Sequence, residues 1–148
     1  MLRFIVPRIT SMEQLSNDTD VGNRVAQQSY NYLGIKYVKG GQLSSQDKYG
    51  IDCSGLVFQV YRDIGIKPKY GSGNGVDMLR TSQNFEVIDA TNILPGDLLL
   101  RSKKGEGWKH VGIYVGNNYL VEAPYTGTVV QKSAYKADKW QLVIRYKP

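Results

Sequence analysis

The period of the hydrophobic pattern changes part-way along this chain, and that change limits the possible folds more than any single residue does. In the first half, apolar residues recur at helical spacing. Leu56, Val57, Val60, Tyr61 and Ile64 form a stripe that predicts a helix from Cys53 to Ile64, ended by Gly65. An earlier helix is predicted over residues 21–33, with Asp20 as its N-cap and Gly34 as its stop. Residues 67–75 are rich in glycine and read as a loop, with a short helix expected over 77–82. Beyond that the pattern becomes strand-like, over 97–101, 110–115, 119–122, 128–131 and 142–146. Turn signals such as Leu94-Pro95-Gly96-Asp97 and Gly116-Asn117-Asn118 separate these runs. Helices first and an antiparallel meander after them predict an α+β fold. The 148 residues fit one domain over 21–148, preceded by a polar N-terminal arm over 1–20.

Two residues occur once each, and they restrict the chemistry. A single cysteine allows no internal disulfide and no multi-cysteine zinc site, while a single histidine excludes any two-histidine metal motif. No metal or cofactor is therefore expected. The net charge of +6 fits an anionic partner, and equally a charge balance kept for solubility. The charges are scattered, so eleven tyrosines that could stack bases do not make a nucleic-acid interface. The apolar run Phe4-Ile5-Val6 is cut off by Pro7 and Arg8 and does not read as a signal peptide. No stretch approaches the roughly 20 apolar residues of a membrane span, so membrane insertion is not expected.

Asp52-Cys53-Ser54-Gly55 sits where a loop enters a predicted helix. A thiol in a first helical turn faces unpaired N–H groups and the positive end of the dipole, which favour the thiolate, the reactive form. The competing reading is an inert, buried cysteine. Ser54 and Gly55 are small enough for a substrate to approach, and Asp52 fits either an N-cap or a substrate contact. His110 opens a strand on which His110, Gly112 and Tyr114 share one face, and Val111, Ile113 and Val115 the other. A three-residue loop at Gly116-Asn117-Asn118 would pair Val115 with Tyr119 and Ile113 with Val121. Glu122 then lies diagonal to His110, roughly 7–8 Å away, with Gly112 leaving the space between them open. A carboxylate there would hold the imidazole tautomer and stabilise its cation. A two-residue turn would place the two on opposite faces, and Glu122 would be an ordinary solvated strand residue.

With these residues in view, the chain resembles the NlpC/P60 family of bacterial cell-wall cysteine peptidases, whose core is papain-like. Four pieces carry the resemblance: residues 34–41 (Gly-Ile-Lys-Tyr-Val-Lys-Gly-Gly), Asp52 to Val57, Leu94 to Leu98, and His110 to Gly116. They stand in the family's order and contain the only cysteine and the only histidine. The resemblance implies a nucleophile helix packed on an antiparallel sheet, a Cys53–His110–Glu122 catalytic set, and Tyr37, Asp52 and Ser54 at the substrate. It also implies hydrolysis of peptidoglycan stem peptides at the bond between D-glutamate (through its γ-carboxyl) and a diamino acid. Two departures bear on specificity: a longer loop at 42–49, and Lys39 where the family often has tryptophan. Two alternatives stay open, a related cysteine amidase or acyltransferase such as a delivered toxin, and a non-catalytic phage-tail or secretion component. Peptidoglycan lies outside the cytoplasm, and with no signal peptide visible the expected route to it is a phage particle or a secretion machine. Oligomeric state is left open.

Overall fold

A computed structural model describes residues 20–41 and 50–148. The expected arm over 1–20, apart from Asp20, and the loop over 42–49 lie outside the described residues. Helix α1 occupies residues 20–29 and tightens into a 3-10 turn at Tyr30–Tyr32. Asp20 is already helical, so it does not cap this helix as expected. Gly34 does end the segment: its φ of +89° is the left-handed geometry that glycine reaches without strain. Helix α2 (Cys53–Asp63) buries Leu56, Val57, Val60 and Tyr61, the stripe that predicted it. Helix α3 (Gly75–Arg80) begins two residues before the expected 77–82, because the Asn74 side chain accepts the Asp77 N–H at 2.9 Å and caps it.

Six antiparallel strands follow: β1 (Phe85–Val87), β2 (Leu98–Lys103), β3 (Gly107–Gly116), β4 (Tyr119–Glu122), β5 (Gln131–Ala134) and β6 (Leu142–Tyr146). Their order is β1-β6-β2-β3-β4-β5. The meander holds from β2 to β5, but β6 returns to the far side of β2 and carries β1 outside it. Three residues are too few to show alternation, which is why β1 left no signal. The strand expected at 128–131 forms at 131–134 instead. The apolar pair that suggested it is used elsewhere, Val129 bridging to Lys36 and Val130 bonding Ile35 at 2.8 Å.

One face of the sheet packs on α2 through Leu98, Leu100, Val111, Ile113, Val121 and Ile144. The other carries a smaller cluster of Leu99, Tyr114, Leu120 and Val143, with Trp140 and Tyr135 against it. The turn before β2 locks α1 to the sheet. A Cβ on Gly96 would lie 2.2 Å from the Gly22 carbonyl oxygen, so only glycine permits this approach. Asp97, 1% exposed, accepts the Leu94 N–H at 2.8 Å and two bonds from Arg145 at 2.8 Å each. Among the described residues no helix is long and apolar enough to cross a membrane.

The β3–β4 hairpin reaches the expected register by an unexpected route. Its turn has two residues, Asn117 (φ +53°) and Asn118 (φ +65°), as a type I′ turn demands. Gly116 pairs with Tyr119, which alone would set Ile113 against Glu122. Val115 is bulged out, however, and the extra residue restores Ile113 opposite Val121. A two-residue turn plus one bulged residue thus gives the register of a three-residue loop.

Candidate active site

Cys53 is the first residue of α2, and Asp52 builds the turn that presents it. Asp52 is extended (φ −97°, ψ −174°), and its Oδ1 accepts the Gly55 N–H at 2.6 Å. Its Oδ2 accepts the Gly40 N–H at 3.1 Å, tying the glycine turn at 40–41 to the helix start. The Cys53 Sγ lies 3.9 Å from the Lys109 carbonyl oxygen. Lys109 is itself the extra residue of a second bulge in β3, since Arg101 pairs with His110 and Ser102 with Trp108. The free thiol therefore rests against the backbone immediately before His110.

The His110 Nε2 is 2.7 Å from Glu122 Oε1, and both side chains are nearly buried. This contact uses Nε2, so the neutral imidazole keeps its lone pair at Nδ1 when Nε2–H donates to the carboxylate. Burial works to raise the Glu122 carboxyl. Hydrogen bonds from His110 and Ser133, with the positive charge of His110 and Arg101, outweigh it, so the net direction is downward. A Cβ on Gly112 would stand 3.7 Å from the Glu122 Cβ, an ordinary contact, but 2.6 Å from Leu120 Cδ1. The space that Gly112 leaves open is thus filled mainly by Leu120.

Burial pushes the Cys53 thiol up to about 11, and the Asp52 carboxylate adds to that rise. The N–H groups of Val111, Ser54 and Cys53 itself pull only part of the way back. The expected gain from the helix start is present but is outweighed by desolvation. Tyr37 is partly buried nearby. Its phenol is raised by burial first, and then by the charges of Cys53 and Asp52. Ser54 is 7% exposed, and a Cβ on Gly75 would lie 2.0 Å from its Oγ. It packs beneath the first residue of α3 rather than lining an open groove.

Comparison with known proteins places the chain in a family. The sequence profile of the NlpC/P60 family matches residues 34–145. The chain belongs to the NlpC/P60 family. It is similar to the murein DD-endopeptidase MepH of Escherichia coli (strain K12), at 34% identity over 120 residues, covering 80% of this chain and 41% of that protein. The murein DD-endopeptidase MepS/murein LD-carboxypeptidase of the same organism is 31% identical, covering 82% and 59%. The chain thus spans about half the length of the curated relatives it matches. Structures of the resuscitation promoting factor interacting protein RipA superpose with a TM-score of 0.65 at 25% identity, covering 87% of this chain and 63% of that one. They were solved with mutations at a cysteine, a histidine and a glutamate.

Within this NlpC/P60 domain the structure adds three residues that the sequence did not single out. Trp140 stacks on the His110 ring, with centroids 5.6 Å apart and planes 26° from parallel. The Arg101 guanidinium lies 4.7 Å from the centre of the same indole. Ser133, on β5, supports the Glu122 carboxylate. Trp140 carried no signal because it precedes a strand whose pairing with β2 is not written in the local pattern. Arg101 looked like an ordinary strand residue for the same reason, and Ser133 fell outside the strand expected at 128–131. An apolar cavity of about 410 Å³, lined by Phe58, Arg62, Ile66, Lys67, Tyr70 and Met78, includes none of the NlpC/P60 candidate residues.

Proposed function

We propose that this chain is a cysteine peptidase that hydrolyses peptidoglycan stem peptides, with Cys53 as nucleophile, His110 as general base and Glu122 as the group that orients it. The observation that carries this reading is the His110–Glu122 contact at 2.7 Å, beside the chain's only thiol. The RipA variants supply independent support. Their changes fall on the same three residue types in the same order, and the histidine and glutamate there stand 12 positions apart, as His110 and Glu122 do.

A thiol held near 11 is protonated at neutral pH, which favours proton removal during attack over a resting ion pair. His110 Nδ1 takes the Sγ proton as the sulfur adds to the peptide carbonyl. The oxyanion then faces the N–H groups of Cys53 and Ser54, because that of Gly55 is already held by Asp52. Glu122 balances the imidazolium, which passes its proton to the leaving amine as the C–N bond breaks. Water, deprotonated by His110, hydrolyses the thioester and frees Cys53. Asp52 Oδ1 accepts from the Gly55 N–H and, at 3.5 Å, from the Ser54 hydroxyl, while Oδ2 accepts from Gly40 and retains a second lone pair for a substrate ammonium.

The bond we assign is that between γ-D-glutamate and the diamino acid. The names of the two Escherichia coli relatives favour a second reading, cleavage of the D,D cross-link. Both readings place the work at the cell wall, and the net charge of +6 complements its anionic polymers. The relatives come from a bacterium, so a phage association gains no support from them. Defined stem peptides and cross-linked dimers, digested by wild type and Cys53→Ala and read by mass spectrometry, test the assignment. Products cut after D-glutamate, from wild type alone, are expected. Cleavage that survives in Cys53→Ala overturns the mechanism, and separation of cross-linked dimers without stem cleavage transfers the activity to the D,D bond.

A further inference from the structure

We propose that Trp140 and Arg101 form a positioning pair that fixes the plane of the His110 imidazole. This rests on the reading of His110 as the base. The Nε2 contact to Glu122 fixes one corner of the ring. A single hydrogen bond acts as a hinge: the ring can still rotate about it, and Nδ1 swings away from the thiol as it does. A second, planar contact removes that freedom, and the stacked indole at 5.6 Å and 26° supplies it.

Trp140 is itself held from both sides. Its N–H bonds the Ala137 carbonyl at 3.3 Å, and the next residue bonds β2 twice, Gln141 N–H to the Leu100 carbonyl at 3.0 Å and Ser102 N–H to the Gln141 side chain at 2.8 Å. The backbone that carries the indole is therefore fixed against β2. Arg101 completes the clamp. It is the cross-strand partner of His110, and its guanidinium lies 4.7 Å from the indole centre.

His110 is the only histidine, so its Hε1 proton resonance reports the ring unambiguously in the whole chain. Loss of the stacked indole in Trp140→Ala is expected to move that resonance downfield, and Trp140→Phe to restore much of the shift. Trp140→Ala is expected to lower kcat about tenfold or more with KM within about twofold, and Trp140→Phe to recover most of the loss, because misalignment acts on the reacting geometry. Arg101→Gln, which releases the indole from its cation, is expected to lower kcat about threefold or more, whereas Arg101→Lys keeps it close to wild type. Circular dichroism confirms that each variant is folded. An unmoved resonance in Trp140→Ala, a Trp140→Ala effect confined to KM, or a wild-type kcat in Arg101→Gln overturns the pair. Activity that survives in both Cys53→Ala and His110→Ala overturns the catalytic reading instead, while the resonance still tests the clamp.

Discussion

Two carboxylates, Asp97 buried in the turn before β2 and Glu122 nearly buried on β4, are each paired with a basic side chain. Asp97 accepts two bonds from Arg145 at 2.8 Å, and Glu122 meets His110 at 2.7 Å. The geometries are equally tight, and the difference lies in the partner. A guanidinium does not give up its proton at any working pH, so the Asp97 pair is a fixed charge that clamps the turn before β2 to β6. An imidazole can lose and regain its proton, so the Glu122 pair can cycle. On the function proposed above, burial of a carboxylate does not separate a structural residue from a catalytic one; the titratability of its partner does.

Replacing each carboxylate system in turn sharpens this contrast. Glu122→Gln keeps the shape and removes the charge, and is expected to lower kcat about 10²- to 10⁴-fold with a far smaller change in stability. Steady-state kinetics beside a urea melt read both. Arg145→Ala should show the reverse pattern. Stripping the partner from a carboxylate that is 1% exposed costs about 3 kcal/mol or more of stability, with kcat per folded molecule retained. Should Glu122→Gln unfold the chain while Arg145→Ala loses only rate, the two roles are exchanged.

These two pairs also mark what the sequence could and could not reveal. Asp97 and Gly96 lie in a recognisable turn, and Cys53 stands at a helix start written out by Asp52, Gly55 and the stripe beginning at Leu56. Such local features depend on neighbours in sequence. Glu122 was reachable because a short hairpin links it to His110, although the real turn has two residues and needs the bulge at Val115 to restore the register. Arg145, Trp140 and Arg101 were not reachable. Their places depend on β6 crossing to pair with β2, a long-range choice that no local periodicity encodes. Ser54 shows a different limit: its small size reads as access beside Cys53, and the structure shows that it also permits α3 to pack closely.

The thiol allows a test of whether the His110 pair cycles or rests as ions. Burial holds Cys53 at about 11, so at neutral pH the thiolate fraction is small unless His110 removes the proton. In His110→Ala, alkylation by iodoacetamide should therefore rise continuously through neutral pH and level off only near 11. The linkage sign follows. A thiol whose proton is held more tightly in the folded state contributes stability below its unfolded value, and that contribution declines as pH rises toward 11. Rapid alkylation at pH 6 to 7 in wild type, flat with pH, would reveal a resting ion pair and end the neutral-pair account.

Asp52 supplies the smallest effect and tests a third arrangement, a carboxylate held by two backbone N–H groups and the Ser54 hydroxyl. Its bonds to Gly55 and Gly40 are those of a cap and a tie, and neither requires a full negative charge. Asp52→Ala should cost about 1 kcal/mol, the usual loss of an N-cap, and loosen the glycine turn beside the nucleophile. Asp52→Asn preserves an acceptor for Gly55 and should recover most of that stability, since asparagine caps about as well as aspartate. What asparagine cannot restore is attraction for a substrate ammonium. If Asp52 also reads the stem peptide, Asp52→Asn will be stable yet show a raised KM for substrates with a free amine, and an unchanged KM for their acetylated counterparts. If KM is unchanged for both, Asp52 serves the helix alone, and substrate charge is read elsewhere in the groove.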